Sequence, residues 1–316
     1  MTRVAALDCG TNSLRLLISE LDGDKLTDVV REMEIVRLGE GVDQTGRFAP
    51  PALDRTFAVL ERYAAEIAEY GAERVRMVAT SATRDAANRD EFLDGVRTRL
   101  GVEAEVVSGD EEAALSFGGA TAELRGTRQF PAPYAVCDIG GGSTEFVVGD
   151  DTGVLAARSV DVGCVRMTER HLRDGPPSAE QIAAATADID AAIALAASTV
   201  PLGDARTLVG LAGSVTTVAA LVLGLPAYDP EAIHHARLSA AEVAETAAAL
   251  LGMDRAERAA LGPMHPGRVD VIGAGALVLD RIMQVGGFAE VVVSEHDILD
   301  GIALSLVDGA LLEPGW

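Results

Sequence analysis

Leu7-Asp8-Cys9-Gly10-Thr11-Asn12-Ser13-Leu14-Arg15 reads as the end of an apolar strand, a tight glycine turn and the start of a second strand. Cys137-Asp138-Ile139-Gly140-Gly141-Gly142-Ser143-Thr144-Glu145 repeats that reading 130 residues later. Asp8 matches Asp138, Gly10 matches Gly140 and Ser13 matches Ser143, and the apolar runs Leu16-Leu17-Ile18 and Phe146-Val147-Val148 follow. Glycine lets the backbone approach a ligand closely and aim successive N–H groups at one spot, which makes an anion-binding concavity. One such hairpin is an ordinary turn. Two that share an acid, a glycine and a serine at equal offsets indicate a duplicated architecture, with a spacing far beyond that of solenoid repeats. One hairpin in each half is what a clamp for a phosphate chain and its metal requires.

The rest of the chain bounds what those turns serve. Its 316 residues suggest two domains, and 48% hydrophobic residues suffice for real cores. With 26 Lys+Arg against 49 Asp+Glu, the formal charge is −23. Such a field repels nucleic acid, and no basic patch interleaved with aromatics offsets it. It also repels polyphosphate, so such a substrate must be held locally by arginine, backbone dipoles and metal. Cys9, Cys137 and Cys164 are too scattered for a metal site and read as small buried hydrophobes in a reducing compartment. The five histidines show no ligand spacing, and His234-His235 reads as a surface or helix-start pair. A strand begins within the first four residues, leaving no room for a signal sequence. The apolar stretch from Ile182 to Val200 carries Asp188 and Asp190, so it is a helix face and not a membrane span. The expectation is a cytoplasmic protein that touches neither nucleic acid nor membrane.

Periodicity sets the organisation. Strands are expected at Val4–Leu7, Leu14–Glu20, Asp28–Arg37, Val75–Ala79 and Glu103–Val107, and helices at 52–70, 88–100 and from Asp110, with Ser108 as its cap. Thr80–Asp85 reads as a turn. Leu124–Pro133 is loop-like and marks a boundary, giving an N-terminal domain of residues 1–124, completed by a helix at about 297–316, and a C-terminal domain of residues 125–296. The second half repeats the pattern with strands at 134–137, 145–148, 154–159, 208–211 and 291–293, and helices at 179–198, 240–251 and 294–306. The order points to two related α/β domains with a cleft between them.

Taken together these residues resemble the exopolyphosphatase/guanosine pentaphosphate phosphohydrolase family of the actin/Hsp70/sugar-kinase superfamily, over nearly the whole chain. Leu7–Ile18 and Asp138–Val148 look like its two phosphate loops. Ala79-Thr80-Ser81-Ala82-Thr83-Arg84 looks like its arginine segment, Ser108-Gly109-Asp110-Glu111-Glu112-Ala113 its catalytic acid segment, and Gly210-Leu211-Ala212-Gly213-Ser214 its later glycine turn. The resemblance implies two ribonuclease-H-like, actin-like ATPase domains, a homodimer, and a catalytic acid at the position directly before the small residue, here Glu112. Two departures stand out. The chain stops without the C-terminal region of the long family members. Asp297-Ile298-Leu299-Asp300-Gly301 also stands where family members often show an arginine before Glu-Gly, a change expected to alter substrate preference.

Hydrolysing a terminal phosphoanhydride requires neutralised phosphoryl oxygens, a fixed phosphorus and an activated water. The N–H groups of Thr11, Asn12, Ser13, Gly141, Gly142 and Ser143 supply the cradle, with hydroxyls from Ser13, Ser143 and Thr144. Asp138 and Glu145, on adjoining strands of one hairpin, are the candidates for Mg²⁺ or Mn²⁺, with Asp8 as a third. Arg15 stands where Glu145 stands in the other copy, and Arg84 ends a strand where a guanidinium can reach phosphoryl oxygens. Glu112 is the candidate base. The leading expectation is an Mg²⁺-dependent exopolyphosphatase favouring short chains, with guanosine pentaphosphate as the nearest alternative substrate. A small-molecule kinase or a nucleotide-dependent scaffold would share the loops.

Overall fold

The computed structural model describes residues 2–22, 25–173 and 175–307. They form two compact units. One runs to Gly119 and resumes at Ile298, and the other is Ala120–Asp297. The division falls in the last turn of the helix Gly109–Thr121, a little before the loop that marks a boundary in the sequence.

The first unit is built on five strands: β1 (Thr2–Cys9), β2 (Ser13–Asp22), β3 (Lys25–Ile35), β4 (Arg74–Ala79) and β5 (Ala104–Val106). Their order is β3-β2-β1-β4-β5, antiparallel from β1 through β3 and parallel from β1 through β5. Successive side chains of a strand point to opposite faces, and both faces are covered. Ala5, Leu7 and Cys9 of β1, Leu14, Leu16 and Ile18 of β2, and Met77 and Ala79 of β4 join one core, on which the helices Pro50–Tyr70 and Arg89–Leu100 place Leu60, Tyr63, Phe92 and Val96. The intervening Ala6, Leu17 and Val78 face Leu115 and the helix Ile298–Ser305, through Ile298, Leu299, Ile302 and Ala303. Each such buried aliphatic side chain is worth about 1.5–3 kcal/mol relative to exposure.

That last helix explains the Asp-Gly departure. Asp300 takes both Nη groups of Arg31 on β3, which also pairs with Asp28. A Cβ on Gly301 would stand 2.0 Å from the Leu115 carbonyl oxygen. Asp300 and Gly301 thus fasten the helix to the sheet. The helix begins at Ile298, four residues later than expected, and the expected extension over 308–316 lies outside the described residues.

The second unit repeats the plan. Its strands are β6 (Tyr134–Ile139), β7 (Thr144–Asp150), β8 (Gly153–Val160), β9 (Thr207–Leu211), β10 (Arg237–Ser239) and β11 (Glu290–Val293), in the order β10-β11-β9-β6-β7-β8. The run β8-β7-β6-β9-β11 has the directions of β3-β2-β1-β4-β5, with β10 added antiparallel at the edge. This is the expected duplicated ribonuclease-H-like architecture. The helices Ala179–Ala197 and Ala240–Gly252 start at capping boxes, Ser178 with Gln181 and Ser239 with Glu242. The sequence reading misses the helix Ile272–Gly286, of which eleven residues are buried. Gly273 and Gly275 in its first turn speak against a helix by local propensity. It also misses the short helix Cys164–His171 and the three-residue strand β10. Thr80–Asp85, expected as a turn, contains a single helical turn, Ser81–Asp85. No helix among the described residues is long and apolar enough to cross a membrane.

Candidate active site

The two glycine turns close identically. Gly10 N–H donates to the Ser13 carbonyl and Gly140 N–H to the Ser143 carbonyl, both at 3.0 Å. In each, the segment following the third strand ties down the turn's carbonyls. Asn12 O accepts from Val36 and Arg37, and Thr11 O from Gly39. In the second unit Gly140 O accepts from Cys164 N–H, Gly141 O from Val165 and Arg166 N–H, and Gly142 O from the buried Arg166 Nε at 2.6 Å. With the carbonyls bound on one side, the N–H groups of Thr11, Asn12, Gly141 and Gly142 donate to nothing among the described residues. Four of the six amides expected to form the cradles, all but those of Ser13 and Ser143, are thus donors without a protein acceptor among the described residues. Thr144 is a correction. Fully buried, its hydroxyl donates to the Val162 carbonyl at 2.6 Å and so fastens strand to loop instead of serving the cradle.

Directly opposed residues of an antiparallel pair share one face of the sheet. Asp8 is opposite Arg15, and Asp138 is opposite Glu145. In the first unit the two answer each other: Arg15 donates through Nε at 2.9 Å and Nη2 at 2.6 Å to Asp8 Oδ2. This corrects both assignments there, because Asp8 already has its cation and Arg15 its anion. In the second unit two carboxylates face each other, Asp138 at 7% and Glu145 at 1% exposure. Ser159, next across in β8, donates its hydroxyl to Glu145 Oε1 at 2.7 Å. Like charges opposed on a sheet are unfavourable, and a divalent cation with oxygen ligands is the partner that such a pair suits.

Sequence positions 84 and 112 come together in the first unit. Arg84 Nη1 donates to Glu112 Oε2 at 2.6 Å and to the Val107 carbonyl at 3.1 Å. The helix carrying Glu112 begins as expected, with Ser108 Oγ accepting from Glu111 N–H at 3.2 Å. Glu112 is buried, whereas Glu111 is exposed and pairs with Arg76 at the surface. A guanidinium carries five N–H donors in a planar fork, and Nε and Nη2 of Arg84 have no acceptor among the described residues.

The later glycine turn adds a residue that the sequence alone left among ordinary arginines. Ala212, with φ 67°, turns β9 sharply into the helix Ala212–Val222. The Arg268 guanidinium lies against Gly213, where a Cβ would meet its Cζ at 2.3 Å. Its one side-chain hydrogen bond goes to Thr217 Oγ1 at 3.2 Å, and it has no carboxylate partner among the described residues. The thiols fit their reading as hydrophobes: burial, then the charge of Asp138, pushes Cys137 up to about 12, and burial raises Cys9 and Cys164 as well.

Comparison with known proteins agrees with this geometry. The profile of the Ppx/GppA phosphatase family matches residues 17–309. "Exopolyphosphatase 2" of Mycobacterium tuberculosis is 51% identical over 97% of this chain and 99% of its own length. A guanosine-5'-triphosphate,3'-diphosphate pyrophosphatase of Aeromonas salmonicida is 27% identical, and the match covers 59% of its length. The solved structure of an exopolyphosphatase-like protein superposes with a TM-score of 0.93 at 45% identity, covering 96% of this chain and 97% of that one. The Aquifex aeolicus PPX-GPPA enzyme gives 0.79 at 29% identity, over 96% and 99%. With the family profile spanning nearly all of the sequence and both glycine turns folded as cradles, the chain belongs to the Ppx/GppA phosphatase family.

Proposed function

We infer that the chain is an exopolyphosphatase, releasing orthophosphate from the end of inorganic polyphosphate. The observation that carries this reading is the Arg84–Glu112 pair, a buried carboxylate oriented by a guanidinium with donors to spare, in a chain whose two glycine turns also leave amides without a protein acceptor among the described residues. Relatives named for guanosine pentaphosphate hydrolysis are more distant, so that substrate is the less favoured one.

In this reading Glu112 accepts the proton of the attacking water while Arg84 orients the carboxylate through Nη1 and offers Nη2 and Nε to phosphoryl oxygens. Each unit's amides, Thr11 and Asn12 in the first and Gly141 and Gly142 in the second, offer hydrogen bonds to phosphate without bringing a titratable group to it. Asp138 and Glu145 hold Mg²⁺ or Mn²⁺, whose chemistry when bound is neutralisation of charge on the phosphoryl oxygens.

The test replaces Glu112 by Gln, which keeps size but removes the base. Phosphate release from polyphosphate should fall about 100-fold or more in kcat, with KM little changed because the cradles are untouched. Glu111→Gln, at an exposed surface pair, should cost well under about tenfold. Retention of more than half the rate by Glu112→Gln would reject the assignment. The same assay on guanosine pentaphosphate and on short and long polyphosphate ranks the substrates.

A further inference from the structure

The fold brings together histidines whose sequence spacing gave no hint of it. His234 and His235 lie between the short helix Pro230–Ile233 and β10, His296 follows β11, and Glu123 follows the helix Gly109–Thr121. His234 Nε2 is 3.0 Å from Glu123 Oε2, and His296 Nδ1 is 4.0 Å from Glu123 Oε1. The rings of His234 and His235 are 3.7 Å apart, and those of His234 and His296 4.8 Å. One donor atom from each of Glu123, His234 and His235 lies within 4.8 Å of the other two.

We propose that Glu123, His234 and His235 form a site for a borderline transition-metal cation, Zn²⁺ by preference, with His296 beside it. Two imidazoles and one carboxylate suit Zn²⁺ and not Mg²⁺, which takes an oxygen shell. With bonds of about 2.0–2.1 Å, ligand atoms in a tetrahedral site stand roughly 3.4 Å apart. The three donors, within 4.8 Å of one another, therefore need to close by at most about 1.4 Å to meet that geometry.

His235 supplies an independent argument. Its Nε2 is buried without a hydrogen-bond partner, and its φ of 61° is in the left-handed region that side chains rarely adopt. Its N–H donates to the Val293 carbonyl at 2.7 Å, which pins it there. A strained residue with an unsatisfied buried nitrogen is a cost that ligation would offset.

Loading has a definite consequence. His234 Nδ1 accepts from Glu295 N–H at 3.1 Å, so the proton of the neutral ring sits on Nε2, facing Glu123. Zn²⁺ at Nε2 moves that proton to Nδ1 and ends the bond from Glu295. The Ser294–Asp297 segment must then yield, which tempers the affinity.

The experiment uses the full chain stripped of metal, titrated with Zn²⁺ against a chromophoric chelator, with thermal unfolding in parallel. With excess Mg²⁺ present to fill the carboxylate site, wild type should bind one equivalent of Zn²⁺ and unfold at higher temperature. His235→Asn, which tolerates the left-handed backbone, and Glu123→Gln should each weaken binding at least about tenfold. Asp138→Asn/Glu145→Gln should bind as wild type does. Absence of stoichiometric binding, wild-type affinity in both site variants, or loss of Zn²⁺ in the Asp138/Glu145 variant overturns the proposal. If His235→Asn fails to fold by circular dichroism, Glu123→Gln, at an exposed position, decides.

Discussion

The two glycine turns share backbone, register and closing hydrogen bond, yet the rows of side chains beneath them differ. Across the first sheet the row reads Asp8, Arg15, Met33, and across the second Asp138, Glu145, Ser159. A single change of sign, arginine against glutamate, makes the first row an ion pair and the second a buried pair of carboxyl groups. Duplication supplied two equal anion cradles. The cross-strand partner of the aspartate is what separates the two.

The comparison breaks most readily at the metal. Glu145→Gln or Asp138→Asn should lower phosphate release at limiting Mg²⁺ by about 100-fold or more, with recovery as Mg²⁺ is raised, since metal charge stabilisation is worth several kcal/mol. Asp8→Asn should leave the Mg²⁺ dependence where it is. An unchanged Mg²⁺ dependence in both second-unit variants would erase the distinction between the rows.

Arg15→Gln tests the other side of it. Asp8 would keep its burial and lose its guanidinium, which costs about 2–4 kcal/mol of stability once partial exposure of the pair is allowed for. Chemical denaturation reads that loss directly. A variant as stable as wild type would mean that the first row is not held by its ion pair.

A smaller effect separates the supports of the two turns. A Cβ at Gly163 would approach Gly141 backbone atoms at 2.5 Å, whereas at Gly39 the nearest neighbour is the Thr11 methyl at 2.3 Å. A methyl group can rotate away and a turn backbone cannot. Gly163→Ala should therefore cost about 1–3 kcal/mol and disturb the cradle, with Gly39→Ala the milder change. Equal unfolding midpoints and equal KM for the two variants would show that both turns are equally compliant.

Much of this was legible in the residues. The repeat, the apolar strand runs and the helical periods pointed to two α/β units, because local propensity and burial pattern are properties of short stretches. The Arg15/Glu145 difference was visible too, but not its outcome. The helix Ile272–Gly286 escaped notice because Gly273 and Gly275 lower the local helix propensity that packing then overrides. Thr144 was misassigned because a hydroxyl beside a glycine turn looks the same whether it faces a ligand or the Val162 carbonyl.

Sequence by itself determined the duplicated strand–turn–strand plan and the acid at the end of each first strand, while the choice of Glu112 as candidate base came from the resemblance. Those follow from patterns spanning a few residues, where chain geometry leaves little choice. Only the tertiary structure decided which charges meet. Arg84 reaches Glu112 across 28 positions, Arg31 reaches Asp300 across 269 and His234 reaches Glu123 across 111. Such pairings depend on how sheets and helices pack, and nothing in the spacing of residues along the chain encodes a distance through space.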